Sequence, residues 1–213
     1  MNIQAMIRRA PKTVRNAVAD LRYGGLLGGT TRTKYAELGA FDTANSDYAD
    51  LPALFAAADV KPGDVLVDVG CGKGRALNWL VGHYGANEIV GIEIDPEICA
   101  RTARRLRRFK RVQIVCGDAI ALLPAEGTVF YLFNPFDERT MQRFADALLE
   151  LGDTGSTRRV IYYNSKFLDP FRQDPRFGIS EIELPSRSHR SALITLAPSG
   201  QAPAGDPSGA DAP

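Results

Sequence analysis

Short apolar runs alternate with amphipathic segments from residue 65 onward. The apolar runs show little polar alternation, which is typical of strands that are buried on both faces of a parallel sheet. The predicted strands cover residues 65–69, 88–94, 112–116, 129–133 and 159–163. The predicted helices between and after them cover residues 75–83, 96–109 and 139–151. Repeated alternation of strand and helix predicts a doubly wound α/β domain.

The C-terminal part of the pattern differs from the rest. Residues 179–184 and 192–197 form two more apolar runs, and the connection between them is too short for a crossover helix. We therefore expect these two strands to be antiparallel neighbours. The complete prediction is a mostly parallel, seven-stranded sheet that is closed by a C-terminal antiparallel hairpin.

The segment before the first strand predicts a helical and glycine-rich extension. Val14, Val18 and Leu21 recur at helical spacing and indicate the apolar face of an amphipathic helix. The glycines of residues 24–34 predict an irregular loop, and residues 47–58 predict a further helix. After residue 197 the chain is rich in Pro, Gly, Ala, Ser and Asp, which predicts disorder. The expected organisation is an extension over 1–46, an α/β domain over 47–197 and a disordered tail over 198–213.

Composition narrows the function classes. The chain has 213 residues, a formal net charge of +1 and three cysteines, which fits one domain without a disulfide framework. Neither the cysteines nor the two histidines follow a metal-ligand spacing, and we expect no metal site. No apolar run has the length of a transmembrane helix and no signal peptide is evident. We therefore expect a cytoplasmic protein that binds neither membranes nor DNA.

Positive charge is concentrated in two places. The N-terminal segment has five basic residues against Asp20 alone, and residues 101–111 hold seven more. A solvated helix face is the simpler interpretation, because cations are favourable near the C-terminus of a helix. The alternative is a surface that contacts RNA. The five N-terminal cations are Arg8, Arg9, Lys12, Arg15 and Arg22.

Three glycines, Gly70, Gly72 and Gly74, follow the first predicted strand and open the next helix. This arrangement brings backbone amides and a helix N-terminus close to a ligand. The spacing G-x-G-x-G differs from the dinucleotide fingerprint G-x-G-x-x-G, and Lys73 lacks the frame of a phosphate-binding P-loop. An acid, Asp68, lies inside the strand just before the first glycine.

Two further acids stand where the next two strands end. Glu93 can accept hydrogen bonds from both hydroxyls of a ribose, whereas Asp95 is better placed to cap the helix that begins at Pro96. Asp118 follows the third strand, where an Asx turn is the alternative role. Ligands of open α/β sheets bind at the carboxyl ends of the strands. The acids at three successive strands therefore predict one ligand site.

The sequence from Asp68 to Gly74 resembles motif I of the class I S-adenosylmethionine-dependent methyltransferases. Glu93 and the Gly-Asp-Ala sequence at Asp118 follow it in the order of that family. The resemblance implies S-adenosylmethionine as the cofactor. It also implies that Asp68 places the amino-acid moiety, that Glu93 binds the ribose, and that Asp118 with the amide of Ala119 binds the adenine.

Thr43 and Tyr48 resemble residues that precede motif I in some bacterial methyltransferases and cover the cofactor. The cofactor-binding residues that the resemblance implies are Thr43, Tyr48, Asp68, Gly70, Cys71, Gly72, Gly74, Glu93, Ile94, Asp118, Ala119 and Asn134.

The fourth strand ends in Asn134, Pro135, Phe136 and Asp137, which resembles the N-P-P-Y signature of methyltransferases that act on a planar nitrogen. The resemblance implies that Asn134 and the carbonyl of Pro135 hold an acceptor amino group, and it makes these four residues the catalytic candidates. Phe136 stands in place of the second proline. Asp137 replaces the aromatic residue and is a candidate proton acceptor. The alternative interpretation is a simple strand-ending turn.

The function that these patterns favour is methyl transfer from S-adenosylmethionine to a nitrogen of a protein side chain or a small molecule, with the methyl acceptor as the partner. One alternative is an RNA methyltransferase, which the basic clusters favour. Another is a non-catalytic scaffold that binds the cofactor. In a different class, a nicotinamide-dependent oxidoreductase should be stabilised by NAD instead.

Overall fold

Seven strands form one sheet in this computed structural model, which describes residues 10–152, 155–187 and 189–198. The strands are β1 (Val65–Val69), β2 (Glu88–Glu93), β3 (Val112–Cys116), β4 (Val129–Phe133), β5 (Arg158–Tyr163), β6 (Phe177–Glu181) and β7 (Ser191–Leu196). The α-helices of the described part are α1 (Lys12–Leu21), α2 (Leu51–Ala57), α3 (Arg75–His83), α4 (Pro96–Leu106), α5 (Glu138–Glu150) and α6 (Asp169–Arg172). A short 3-10 turn (Ala36–Leu38) lies between α1 and α2.

The strand order is β3-β2-β1-β4-β5-β7-β6. Strands β1 to β5 pair in parallel, whereas β7 is antiparallel to both β5 and β6. This order confirms the predicted parallel sheet with a closing antiparallel hairpin. The direction of winding reverses between β1 and β4, and open α/β sheets bind ligands beside such a switch point.

Both faces of the sheet are buried, because successive side chains of a strand point to opposite sides. In β4, Tyr131 packs with Phe55 and Trp79 on the face that α2 and α3 cover. Phe130 points the other way and packs with Phe144 of α5. Burial on two faces is the reason why the strands appear in the sequence as continuous apolar runs.

Two helices are shorter than their patterns predict. The pattern over residues 96–109 gives a helix that ends at Leu106, and the basic residues beyond it form a turn into β3. The helix predicted over 47–58 begins only at Leu51. The carboxylate of Asp47 accepts a hydrogen bond from the amide of Ala49 and pairs with Lys12 outside the helix. The apolar spacing placed both helices correctly, but their ends are set by these local polar contacts.

Helix α1 packs on the domain through a polar face. The predicted apolar face is wrong, since the side chains of Val14 and Leu21 are 47% and 60% exposed. Asn16 and Asp20 are the buried residues of the helix. The physical reason is the ion pair between Asp20 and Arg75, whose side chains are only 1% and 7% exposed. The loop over 24–34 is irregular, as predicted, whereas Arg8, Arg9 and the predicted tail beyond residue 198 lie outside the described residues.

Candidate active site

The loop from β1 to α3 has a backbone that requires glycine. Gly70, Gly72 and Gly74 have φ angles of 72°, 52° and 76°, in the left-handed region that favours glycine. A Cβ on Gly72 would lie 2.5 Å from the Cγ2 atom of Thr43, and one on Gly70 would lie 3.0 Å from the Cβ atom of Pro135. The three positions therefore require glycine for their backbone conformation, and Gly70 and Gly72 also lack space for a side chain.

Hydrogen bonds to strand β2 and helix α4 hold this loop in place. The amide of Cys71 donates to the carbonyl of Ile92 at 2.8 Å, and the amide of Gly72 donates to Oε2 of Glu93 at 2.7 Å. The hydroxyl of Thr102 donates to the carbonyl of Gly72 at 2.9 Å. Burial raises the pKa of the Cys71 thiol, so this cysteine is a neutral, packed side chain.

Glu93 lies at the centre of the predicted site and is 5% exposed. Its Oε2 accepts from Gly72, and its Oε1 accepts from the amide of Asp95 at 2.8 Å. Burial raises the pKa of Glu93, and the two backbone donors oppose that rise. Asp95 accepts from the amides of Glu97 and Ile98 at the start of α4, which confirms its predicted role as the helix cap.

Asp68 is the second buried acid. It is 3% exposed, and its Oδ2 atom has no hydrogen-bond partner in the part of the chain that the structure describes. Burial raises the pKa of Asp68 to about 8, and the charge of Glu93 adds to the rise. A buried carboxyl oxygen without a donor carries a desolvation cost, and a cationic or donating ligand group removes it.

A pocket lies between the carboxyl ends of the strands and a segment that we call the strap, residues 31–44. Asp118 stands at its wall after β3, with a side chain that is 44% exposed. The Oδ1 atom of Asp118 accepts from the amide of Ile120 at 3.0 Å, as in an Asx turn, and Arg143 lies 3.6 Å from Oδ2. The carboxylate therefore has capacity for a further donor from a ligand.

Backbone hydrogen bonds join the strap to residues 135–137 and join its two ends to each other. The amide of Phe41 donates to the carbonyl of Pro135 at 2.9 Å, and the amide of Asp137 donates to the carbonyl of Gly39 at 2.8 Å. Thr31 and Thr43 bond each other through their backbones at 2.9 Å and 3.1 Å. These contacts make the strap a fixed wall of the pocket in this conformation.

The four catalytic candidates after β4 have mostly structural partners. Asn134 has a left-handed φ of 41°, and its Oδ1 accepts from the hydroxyl of Tyr162 at 2.8 Å. The Oδ1 of Asp137 caps α5 by accepting from the amide of Thr140 at 2.8 Å, and its role as a proton acceptor stays a prediction. The carbonyl of Pro135 is bonded to the strap. The ring of Phe136 lies 6.2 Å from that of Phe144 in the core.

The structure sorts the predicted site residues into three groups. The residues that line the pocket are Thr43, Gly70, Glu93, Ile94, Asp118, Ala119, Pro135 and Phe136. The predicted residues that are buried behind the pocket wall are Asp68, Cys71, Gly72, Gly74 and Asn134. Two others bond residues away from the pocket: Tyr48 bonds Asp20, and Asp137 caps α5. The wall residues that sequence reasoning missed include Leu38, Ala40, Phe41 and Ile98. Their positions depend on the strap and on α4, and no motif in the sequence marks them.

The comparisons with known proteins agree with this geometry. Residues 66–151 match the family described as methyltransferase domain. The solved RNA methyltransferase from Salinibacter ruber, in complex with S-adenosyl-L-homocysteine, is 22% identical with a TM-score of 0.58, over 75% of this chain and 97% of that chain. The described chain therefore has the fold of class I methyltransferases, and residues 66–151 match the family model. A SAM-dependent O-methyltransferase from Thermotoga maritima shares the fold at 16% identity and a TM-score of 0.57, over 75% of this chain and 68% of its own.

The chain is also similar, over part of its length, to methyltransferases that are named for different acceptors. The ribosomal protein L11 methyltransferase of Burkholderia cenocepacia (strain HI2424) is 35% identical over 78 residues, which are 37% of this chain and 25% of that protein. Ribosomal RNA small subunit methyltransferase A of Moorella thermoacetica is 38% identical over 64 residues, which are 30% of this chain and 22% of that protein. The chain spans about a quarter of the length of these relatives.

Behind the glycine loop, a buried polar network joins α1, α3 and α4. Asp20 accepts from Nε and Nη2 of Arg75 at 3.0 Å and 2.7 Å and from the hydroxyl of Tyr48 at 3.0 Å. Asn78 donates to Tyr48 and accepts from Arg105. Arg105 also donates to the carbonyl of Lys73 at 2.7 Å, so the network reaches the loop itself. Tyr48 is thus part of this network and not of the pocket wall, which corrects its expected place.

No helix in the described ranges is long and apolar enough to cross a bilayer.

Proposed function

We propose that the protein transfers the methyl group of S-adenosylmethionine to an acceptor that enters beside the strap. The observation that carries the proposal is the set of acids at the ends of three neighbouring strands. Glu93 and Asp118 line one pocket, and Asp68 lies behind the glycine loop with one oxygen to which no residue of the described ranges donates. The solved neighbour from Salinibacter ruber, which has the same fold, is in complex with S-adenosyl-L-homocysteine, and this supports the choice of cofactor.

The residues fit the groups of this cofactor. The Oδ2 of Asp68 suits the ammonium of the amino-acid moiety, because it is a buried carboxylate oxygen without a donor among the described residues. Glu93 suits the ribose hydroxyls, since each carboxylate oxygen keeps lone-pair capacity beyond the one backbone donor that it has. Asp118 and Ala119 stand at the wall where the adenine would lie.

The protein's task in such a reaction is alignment. When bound, the cofactor supplies an activated methyl group on a sulfonium, so the chain has to orient the acceptor and exclude water. The strap closes one side of the pocket through Phe41 and Gly39. The apolar side chains of Phe133, Pro135 and Phe136 line the pocket beside the strap and make that part of its wall apolar.

The test is a comparison of Glu93→Gln with Glu88→Gln. Both residues belong to β2, but Glu93 is buried in the site and the side chain of Glu88 is 58% exposed at the other end of the strand. We expect Glu93→Gln to weaken cofactor binding by about 2 kcal/mol, or about 30-fold in Kd, because a charge-assisted hydrogen bond is lost. Calorimetric titration with S-adenosylmethionine measures this, and Glu88→Gln should bind like the wild type.

Transfer itself is measured with S-adenosylmethionine labelled in its methyl group. The protein is incubated with a cell extract, and the labelled fraction is then digested with protease or ribonuclease to identify its class. Stabilisation by the cofactor without any labelled product would favour the non-catalytic scaffold. Stabilisation by NAD in place of S-adenosylmethionine would contradict the proposal.

Asn134 is proposed to orient the acceptor, as the resemblance to N-P-P-Y implies, in addition to bonding Tyr162. Asn134→Gly keeps the left-handed backbone free of strain and removes the amide. Tyr162→Phe removes the shared hydrogen bond, together with the acceptor of the Phe167 amide, and keeps the Asn134 side chain. We expect similar melting temperatures, but a kcat at least about tenfold lower in Asn134→Gly, since orientation of the acceptor contributes to the chemical step. Equal kcat values in the two variants would restrict Asn134 to a structural role.

A further inference from the structure

A row of cations lies on the outside of α4 and on the turn that follows it. Residues 101–111 carry seven positive charges and no acid, so the remainder of the chain has a formal net charge of −6. Two of the seven bond other side chains of the protein: Arg105 bonds Asn78 as well as the glycine loop, and Arg111 pairs with Glu88. We call the other five the basic row, which consists of Arg101, Arg104, Arg107, Arg108 and Lys110.

The basic row is exposed and largely uncompensated. The side chains of Arg101, Arg104, Arg107 and Lys110 make no hydrogen bond or ion pair with any other described residue. Side chains three positions apart on a helix are about 5–6 Å from each other at their Cβ atoms, so Arg101 and Arg104 are neighbours on one side of α4. Arg107 and Arg108 follow in the turn after the helix ends. Like charges at this spacing repel each other. The side chains of the basic row are exposed, so no burial of apolar surface offsets this repulsion.

Helix α1 extends this surface. Arg108 donates to the carbonyl of Arg22 at 3.1 Å, and Arg105 donates to that of Tyr23 at 3.2 Å, so the end of α1 lies directly beside α4. Arg22 and Arg15 are exposed and two helical turns apart, on the same side of α1. The two basic clusters of the sequence therefore meet on one face of the molecule.

The other end of this face reaches the pocket. Lys34 of the strap lies 3.6 Å from Glu97 in the first turn of α4, and both side chains are more than two-thirds exposed. Arg32 of the strap is exposed and lines the pocket together with Glu93 and Pro135. A negatively charged chain that follows α4 from Arg108 to Arg101 would thus arrive at the mouth of the pocket.

We infer that the basic row binds the phosphate backbone of a single strand of RNA. The basic row is as narrow as a single helix, so it can contact one nucleic-acid strand. Four of its five residues are arginines, which bind phosphate through several donors. That this RNA is also the methyl acceptor rests on the proposed function, whereas its binding to α4 does not. The continuity of the face with the pocket mouth makes RNA the acceptor class that the structure favours.

The experiment measures binding of a short fluorescein-labelled single-stranded RNA by fluorescence polarisation, without cofactor. The variant Arg101→Gln/Arg104→Gln/Arg107→Gln is compared with Lys61→Gln/Arg176→Gln/Arg187→Gln, which removes the same charge from exposed sites away from α4. We expect the first variant to weaken Kd by at least about tenfold and to reduce the slope of log Kd against log salt by about 2, since each phosphate contact on a single strand contributes about 0.7. The control variant should bind like the wild type.

Three outcomes would overturn the inference: equal loss in both variants, a salt slope that the α4 variant leaves unchanged, or tighter binding to anionic vesicles, polyglutamate or DNA of the same sequence. Binding of S-adenosylmethionine by the α4 variant checks that the domain is folded. RNA binding through α4 without any methyl transfer would contradict the proposed function and leave the RNA surface intact. Methyl transfer without RNA binding would support the proposed function and would contradict the inference that the basic row binds RNA.

Discussion

Replacing Asp20 with alanine is expected to lower the free energy of unfolding by about 3–5 kcal/mol, because it leaves the buried guanidinium of Arg75 without its counter-charge. Arg75 is 7% exposed, and two of its nitrogens donate to Asp20. The same change removes the acceptors of Tyr48 and of the Leu27 amide. Urea denaturation of the variant and the wild type measures the difference.

The matched control is the exposed pair of Arg111 and Glu88, whose side chains are 55% and 58% exposed. Glu88→Ala should cost less than about 1 kcal/mol, because an exposed ion pair in water contributes little. The double variant Asp20→Leu/Arg75→Met removes both buried charges and should recover part of the loss. If Asp20→Ala were no more destabilising than Glu88→Ala, α1 would not depend on this ion pair.

Replacing Asp68 with asparagine is expected to raise stability and to lower cofactor affinity in the same molecule. Asp68 is buried and one of its oxygens has no donor in the described structure, so its ionised form is costly. Asparagine removes that cost and should raise the melting temperature by several degrees at neutral pH. The same change removes the anion that would face the ammonium, and we expect Kd for S-adenosylmethionine to rise about 10-fold to 100-fold.

The pH dependence follows from the raised pKa of Asp68. The pKa is about 8 in the folded protein and 3.8 ordinarily, so the folded state binds the proton more tightly than the unfolded state. Stability from this group is fully present below pH 4 and is lost progressively as pH rises towards 8. The advantage of Asp68→Asn should therefore grow over that range.

Cofactor binding should show the complementary effect. A cationic ligand favours ionised Asp68, so binding releases a proton below about pH 8 and the affinity of the wild type rises with pH. Calorimetry in two buffers of different ionisation enthalpy measures the released proton. Asp118→Asn, which changes an exposed acid of the same site, should keep the proton release. Proton release that persists in Asp68→Asn would refute the assignment.

The parts of the site that lie on regular elements could be predicted from the sequence. Glu93 and Asp118 follow apolar strands, and parallel strands bring their carboxyl ends to one edge, so the proximity of these acids follows from periodicity alone. Asp95 before Pro96 likewise predicts a helix cap, which the structure confirms. These inferences depend on neighbours in sequence or on the topology of the sheet.

The strap and the partners of α1 could not be predicted in this way. Leu38 and Phe41 line the pocket because their segment crosses to Pro135, and nothing in the local pattern encodes that distant pairing. The periodicity of α1 favoured Val14 and Leu21 as its buried face, yet one buried ion pair involving Asp20 determines how the helix packs. Specific polar partners far apart in sequence outweighed the hydrophobic pattern at both places.

The docking of α1 has a consequence for the order in which the chain folds. Its polar contacts are made with Asp47, Tyr48 and Arg75, and the two residues that follow it are bonded by Arg105 and Arg108. All of these partners leave the ribosome after residues 12–21. A helix of 10 residues is only marginally stable in water by itself, so α1 is expected to be largely unfolded until its partner residues have been synthesised. The first described helix to be synthesised is therefore expected to be among the last to acquire its native structure, after the strands and helices around the glycine loop have assembled.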